Sequence, residues 1–321
     1  MEAGNLGERA LIRLLTKHFA ARQNALGLAD DCAAVPWGDG YLLATVDTLS
    51  ASTHFPAAMT PRQAGRMAAT ASLSDLAAKG GTPLGLLLAL GVPPSMETQA
   101  LEELAEGFAS MADQAGAEVL GGDTKAAGEL SVSVTALGTV GRDQLLPRVG
   151  VRNGDTLAVT GTLGGAGAGL AALERGLGAG LARRLLEPVP RLAEGRALAA
   201  SGAARACIDL SDGLASGLHQ LAAVNRCGFE VDPSALPVDA LARAVGATPE
   251  EARGWALQAG GDYELLVALA PERVGHAVAA VEHAGGRLVV VGRAIPDGGV
   301  WVRSGAGRET LPDEGWDAFR A

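Results

Sequence analysis

The chain has 321 residues, 48% hydrophobic, 19% charged and 3% aromatic, with a formal net charge of −10. That apolar content excludes a disordered chain and suffices for two domains. The 45 glycines lack a three-residue period, which excludes collagen. The acidic balance argues against a general nucleic-acid binder and against anionic membrane surfaces. Cys32, Cys207 and Cys227 form no CxxC pair, so a cytoplasmic setting without disulfides or a zinc site is expected. The N-terminus has no signal-peptide pattern, and no apolar run reaches the ~18–20 residues of a membrane span.

The elements read as alternating helices and strands. An amphipathic segment opens the chain over about Leu6 to Ala21. Tyr41 to Asp47 reads as a strand ending in an acid. Thr60-Pro61 starts a helix, with Thr as N-cap and Pro at the first position, running to Lys79 and stopping at Gly80-Gly81. Leu84 to Val92 reads as a buried strand, Ser95 to Ala115 as a helix stopped by Gly116, and Glu118 to Asp123 as a short strand entering a glycine turn. Leu130 to Val140 alternates as a half-buried strand. The pattern restarts after Gly141 to Gly154, so an N-terminal domain of residues 1–145 and a C-terminal domain of residues 146–321 are expected. In the second half, Asp155 to Thr160, Ala206 to Asp209, Tyr263 to Leu269 and Arg287 to Val291 read as strands, with Ser211-Asp212-Gly213 opening a helix. The fold class is α/β in two domains.

The chemistry lies in aspartates. Asp30, Asp31, Asp47, Asp75, Asp123, Asp209, Asp212 and Asp262 sit beside Gly, Ser or Thr at strand ends and helix starts. One such Asp is ordinarily a cap or turn former. A whole set converging on one crevice would repel itself unless cations neutralised it. Oxygen-only donors favour Mg²⁺ with a phosphate-bearing ligand. No GxxxxGK[ST] is present and there are only three lysines, Lys17, Lys79 and Lys125, which excludes a P-loop NTPase; HRD and DFG are absent too. Glycine turns at Gly80-Gly81, Gly121-Gly122, Gly161 to Gly169 and Gly260-Gly261 could face phosphate oxygens, or could serve close packing of helix on strand. Arg183-Arg184 reads as a solvated helix face, and Cys207 and Cys227 as small buried hydrophobes.

Seven motifs in order carry a resemblance: GLADDCA from Gly27, VDTLSASTHF from Val46, SLSDLAAKGGTP from Ser72, GGDT from Gly121, RVGVRNGDTLAVTGTLGGAGAGL from Arg148, IDLSDGL from Ile208 and GGDYELL from Gly260. Together they resemble the thiamine-monophosphate kinase family of the aminoimidazole-ribonucleotide-synthetase-like ATP-binding superfamily, over nearly the whole chain. The resemblance implies ATP-dependent phosphorylation of thiamine phosphate to thiamine diphosphate, with Mg²⁺ bridging the phosphates. It implies a homodimer whose N-terminal strands form an intersubunit β-barrel beside a sandwich-like C-terminal domain. Asp31, Asp47, Asp75, Asp123 and Asp212 would be metal ligands, with Asp30 and Asp209 as adjacent candidates and Thr45 adding an oxygen. Gly121, Gly122, Asp123, Arg148 and Ser211 would contact ATP. Asp75, Asp212 and Arg148 would carry catalysis. His54, position Gly261 and Phe319, with Trp316 close by, would face thiamine phosphate.

The chain departs from the family pattern on the acceptor side. GGEDYEL reads GGDYELL, so a Glu is replaced by Gly261; EGxHF reads ASTHF; GxGDD reads GLADD; and Val46 stands where Thr is common. The acceptor that the resemblance implies is a phosphate oxygen, already deprotonated near neutral pH, so catalysis would need alignment and charge neutralisation and no strong base. A same-fold enzyme with another acceptor and a non-enzymatic nucleotide-binding module are the alternatives.

Overall fold

A computed structural model describes residues 7–305, 307–317 and 319; Leu6 and Ala318, within two of the segments read above, lie outside them. The first sheet contains β1 (Ala33–Trp37), β2 (Gly40–Ser50), β3 (Thr82–Val92), β4 (Glu118–Ala126) and β5 (Ser131–Gly141), in the order β1-β2-β5-β3-β4. Its pairs are antiparallel except β3 with β4. The second sheet contains β6 (Thr156–Thr160), β7 (Ala204–Asp209), β8 (Gly228–Val231), β9 (Leu265–Leu269), β10 (Leu288–Ile295), β11 (Val300–Ser304) and β12 (Gly307–Thr310), in the order β12-β11-β8-β10-β6-β9-β7. The result is a mixed α/β fold with two open sheets; neither closes into a barrel.

The helices in chain order are α1 (Glu8–Thr16), α2 (Ala51–His54), α3 (Pro61–Ala78), α4 (Thr98–Ala115), α5 (Gly165–Glu174), α6 (Arg183–Leu186), α7 (Leu192–Ser201), α8 (Leu214–Asn225), α9 (Leu241–Ala244), α10 (Pro249–Gln258) and α11 (Val274–His283). No helix among the described residues is long and apolar enough to cross a membrane.

The pivot is α3. Thr60 and Gln63 form a reciprocal capping box and Pro61 follows, as the sequence predicts; such a cap contributes about 1 kcal/mol. The helix is rich in Ala, Gly, Ser and Leu, and thirteen of its residues are buried. Small residues on every side let neighbours approach closely: a Cβ on Gly65 would lie 2.0 Å from the Leu104 carbonyl oxygen on α4. A helix that is apolar all round belongs in an interior. Here one continuous core joins Leu73, Leu76 and Ala77 to Leu43, Val134 and Phe108 on one side and to Leu198, Cys207 and Val267 on the other. A second core, around Leu157, Ile208, Phe229 and Leu266, fills the other side of the second sheet.

The first sheet is covered on one face only. Along β5 the odd positions are half-buried and the even ones buried. Val46, Leu84, Leu87, Val119 and Leu120 are exposed. The expectation of a buried strand over Leu84 to Val92 is therefore corrected: β3 buries Leu86 against the core and turns Leu84 and Leu87 to the uncovered face. An apolar run predicts that a strand will be covered on both faces, but not whether one chain supplies both covers.

Candidate active site

Successive side chains on α3 point about 100° apart, so Ser72 and Ser74 face nearly opposite directions. Ser72 donates its hydroxyl to Asp47 Oδ2 at 2.7 Å, on β2 of the first sheet. Ser74 donates to Asp209 Oδ2 at 2.8 Å, at the end of β7 in the second sheet. Asp75 takes the bearing between them and accepts a short hydrogen bond from the Thr45 hydroxyl. One helical turn thus gathers acids from both sheets. Ligand oxygens of Asp31, Asp75 and Asp209 all lie within 4.8 Å of one another.

The Asp30-Asp31 loop closes this cage. Arg148 donates its backbone N–H to Asp30 Oδ2 at 2.8 Å and its Nε to Asp31 Oδ1 at 3.0 Å, while another guanidinium nitrogen holds Gln220 Oε1 at 2.9 Å. Lys79, at the end of α3, brings its ammonium 2.5 Å from Asp30 Oδ1 and 2.7 Å from Asp31 Oδ2. The Lys79 side chain is completely buried, as is that of Asp31. Asp31 Oδ2 nevertheless receives no hydrogen bond in line with a lone pair.

The electrostatics follow from burial and crowding. At such separations and an effective dielectric near 20, each like-charged pair costs about 4 kcal/mol. Burial first, then Asp47, Asp209 and Asp31, hold the Asp75 carboxyl well above the usual carboxylate range. Burial and the nearby Asp31 push Asp209 to about 8, and burial with Glu8 pushes Asp212 to about 6. Burial works against the charge of Asp31 too, but Lys79 and Arg148 outweigh it and hold that carboxyl below its usual range. Arg148 is correspondingly raised. Burial pushes the Cys207 thiol up to about 12, so it is a neutral wall rather than a soft ligand. The donors are carboxylate and hydroxyl oxygens, a set that fits a hard divalent cation.

Of the other sequence candidates, Asp212 lies three residues after Asp209, in the loop before α8, with its carbonyl accepting from Trp316 N at 3.2 Å. Ser211 sits beside it, its carbonyl accepting from Gly261 N at 2.7 Å. Asp123 is elsewhere: it pairs in register with Ala89, Ala89 with Ser133 and Ser133 with Thr48. Cross-strand partners share a face, and Thr48 and Ser133 join their hydroxyls at 2.8 Å on the uncovered one. Asp47, one residue before Thr48, points the opposite way, to α3. The chain by itself therefore does not bring Asp123 to Asp47; the Asp123 carboxylate is exposed and paired with Lys125 at 3.2 Å. Gly121 and Gly122 precede it on β4. A Cβ on Gly122 would lie 1.7 Å from the Leu88 carbonyl oxygen, so only glycine fits there.

On the acceptor side, the α2 residue His54 accepts at Nδ1 from Ser50 N at 3.2 Å, and its ring meets Trp316 edge-on at 6.3 Å between centroids. Burial lowers its pKa. Phe319 is exposed in the C-terminal tail. Gly261 has φ of +93°, and an added Cβ would press Ala166 Cβ at 3.2 Å.

Three features were not legible as such. Asp262 accepts from Gly164 N at 2.6 Å and Ala166 N at 2.9 Å, so the glycine turn before α5 has its N–H groups satisfied by a carboxylate from its own chain. The remaining glycines there serve packing, as Gly167 does against Trp255. Arg184 is not a solvated residue: it holds the buried Glu264 at 3.0 Å together with Arg191 at 2.6 Å, while Arg183 is exposed. Tyr263 adopts φ of +51°, unusual for a side chain of its size, and is buried with Leu49, Met67 and Ala71. Its phenol is raised by burial and by Asp47, Asp209, Asp212 and Asp75, which sets it against the cage. The left-handed backbone was the only advance sign, and sequence does not display it.

Residues 29–140 match the family model described as AIR synthase related protein, N-terminal domain, and residues 152–303 match its C-terminal domain. The chain is 42% identical over 290 residues to a thiamine-monophosphate kinase of Halobacterium salinarum, covering 89% of this chain and 93% of that one. The solved structure of AaThiL complexed with AMPPCP and TMP is similar with a TM-score of 0.85 at 28% identity, over 99% of this chain and 98% of that one. The thiamine-monophosphate kinase of Stenotrophomonas maltophilia K279a is similar with a TM-score of 0.77 at 35% identity, over 91% and 94%.

Proposed function

The chain belongs to the AIR synthase related family and, within it, to the thiamine-monophosphate kinases, and from that premise we infer that it transfers the terminal phosphoryl group of ATP to the phosphate of thiamine phosphate. The observation that carries the reading is the cage of Asp31, Asp75 and Asp209, assembled by one helix from both halves of the fold. A structure as similar as AaThiL was solved with AMPPCP, an ATP analogue, and TMP together, the two kinds of ligand the reaction needs.

Asp31, Asp75 and Asp209, with Thr45 and Asp47 alongside, are the residues that would hold Mg²⁺, with Asp212 adjoining. When bound, Mg²⁺ supplies positive charge that offsets the repulsion between two phosphate-bearing substrates. The chain's own residues do the rest. Ser72, Ser74 and Thr45 fix the carboxylates in place by donating to them. Arg148 presents a permanent, planar cation at the mouth of the cage, suited to a nucleotide phosphate. Ser211, Gly121, Gly122 and Asp123 are proposed as further nucleotide contacts. His54, Trp316 and Phe319 offer aromatic surface to the acceptor beside Gly261. No residue need take a proton from the acceptor oxygen.

The apolar uncovered face of the first sheet, with Val46, Leu84, Leu87 and Leu120, supports a homodimer in which two such sheets close a barrel. That arrangement would also bury the exposed Asp123. The division at 145/146 is proposed as the domain boundary and the cytoplasm as the compartment. The test is formation of thiamine diphosphate from ATP and thiamine phosphate with and without Mg²⁺. Mg²⁺-dependent product is expected. Activity only on other acceptors, which the glycine at position 261 would motivate, would replace thiamine phosphate as the substrate.

A further inference from the structure

Lys79 has no part in the reading above, yet it is among the largest completely buried side chains of the described residues. It stands four residues after Asp75, on the same face of α3 as it ends. Its ammonium has three protons and three oxygens around it: Asp30 Oδ1 at 2.5 Å, Asp31 Oδ2 at 2.7 Å and the Cys207 carbonyl at 3.0 Å. Two carboxylates of adjacent residues and a backbone carbonyl of β7 form the kind of oxygen shell that hard cations use. A lysine is costly to bury unless paired, and most lysines at a helix end reach water. This one instead turns inward, into the acids.

We propose that Lys79 is a built-in monovalent cation of the carboxylate cage, filling with its ammonium a position that a divalent ion would otherwise take. By engaging Asp31 Oδ2 at 2.7 Å, it holds that carboxylate in place beside Asp75 and Asp209. The five carboxylates Asp30, Asp31, Asp47, Asp75 and Asp209 face two fixed cations, Lys79 and Arg148, which leaves three negative charges when all the acids are ionised. Without Lys79 there would be four. The lysine thereby limits how much divalent charge the cage draws in, and makes Lys79 a positioning residue for the metal site. This inference rests on the cage being a metal site, as proposed above.

The test is calorimetric titration of the full-length protein with Mn²⁺ alone, without nucleotide, in the wild type and in Lys79→Met, which keeps an unbranched side chain one atom shorter and removes its charge. The variant is expected to bind one additional Mn²⁺ per chain, or to bind Mn²⁺ at least tenfold more tightly. A simple structural ion pair would not move either quantity upward. Equal stoichiometry with affinity changed by less than tenfold, or weaker binding, overturns the role of Lys79 and leaves the kinase reading standing. A wild type that binds no Mn²⁺ overturns both. If Lys79→Met does not fold without metal, the double variant Lys79→Met, Asp30→Asn, which removes one charge of each sign, replaces it. It is expected to match the wild type in Mn²⁺ stoichiometry and affinity, and binding tenfold tighter or weaker overturns the proposal.

Discussion

The two ends of the proposed site are built differently. The carboxylate cage is internal: its acids come from β2, α3, β7 and the Asp30-Asp31 loop, every one is held by a hydroxyl, a lysine or an arginine, and α3 behind them is buried on nearly all sides. The acceptor side is assembled from a four-residue helix, a glycine turn and the C-terminal tail, with Trp316 and Phe319 exposed. Rigid elements suit the cage, because carboxylates a few ångströms apart must be held against their own repulsion. Peripheral segments suit a specificity surface, where a change of residue leaves the core undisturbed.

That contrast predicts a graded series of effects. Asp75→Asn should give the largest: a loss of turnover of roughly 10²–10³-fold, since an ion-held phosphate charge contributes several kcal/mol to the transition state. Its melting temperature without metal should not fall, because the substitution removes a like charge from a crowded interior. A variant with near wild-type turnover would detach Asp75 from the chemistry. Ser74→Ala should come next. It leaves Asp209 without its 2.8 Å donor, and loss of such a supporting hydrogen bond weakens metal binding about 10–100-fold. Mn²⁺ titration checks it, and unchanged affinity would show that Asp209 is not oriented for an ion.

On the peripheral side, Trp316→Ala should raise KM for thiamine phosphate about tenfold while leaving KM for ATP and kcat nearly unchanged, the pattern of lost ground-state binding. A fall in kcat instead would place the tail in the chemistry rather than in recognition. The smallest effect concerns pH. Burial lowers the His54 pKa. The folded state therefore favours the neutral ring more than the unfolded state does. The corresponding stability is present above the ordinary histidine value of about 6.5 and is lost as pH falls below it. His54→Gln should therefore flatten the fall in melting temperature between about pH 7.5 and pH 5.5; an undiminished slope would assign the acid sensitivity to other groups.

How much of this was legible in sequence differs between the same two regions. The acids of the cage were, because each stands in a motif at a strand end or within α3, and a helix of small residues that opens with Thr60-Pro61 announces both its start and its burial. Lys79 was not: a lysine before Gly80-Gly81 reads as a cation at a helix end in water, and only the folded chain shows it turned inward. Asp262 was legible as an acid near a turn but not as the cap of α5, since its partners Gly164 and Ala166 lie about a hundred residues away. Asp123 illustrates the opposite limit. Its GGDT motif was clear, but which face of β4 it occupies depends on register through β3 and β5, and that register sends it to the uncovered side. The strand over Leu84 to Val92 is legible as apolar, while its one-sided cover depends on which elements pack on the sheet, and the run itself does not show that.

The most direct test of the central idea, that acids from distant segments form one hard-cation cage, is anomalous scattering from crystals of the protein grown with Mn²⁺ and AMPPCP. The account predicts a manganese peak within coordination distance of Asp75 and at least one of Asp31 and Asp209. Peaks confined to surface carboxylates, with the Asp31, Asp75 and Asp209 oxygens unligated, would contradict it.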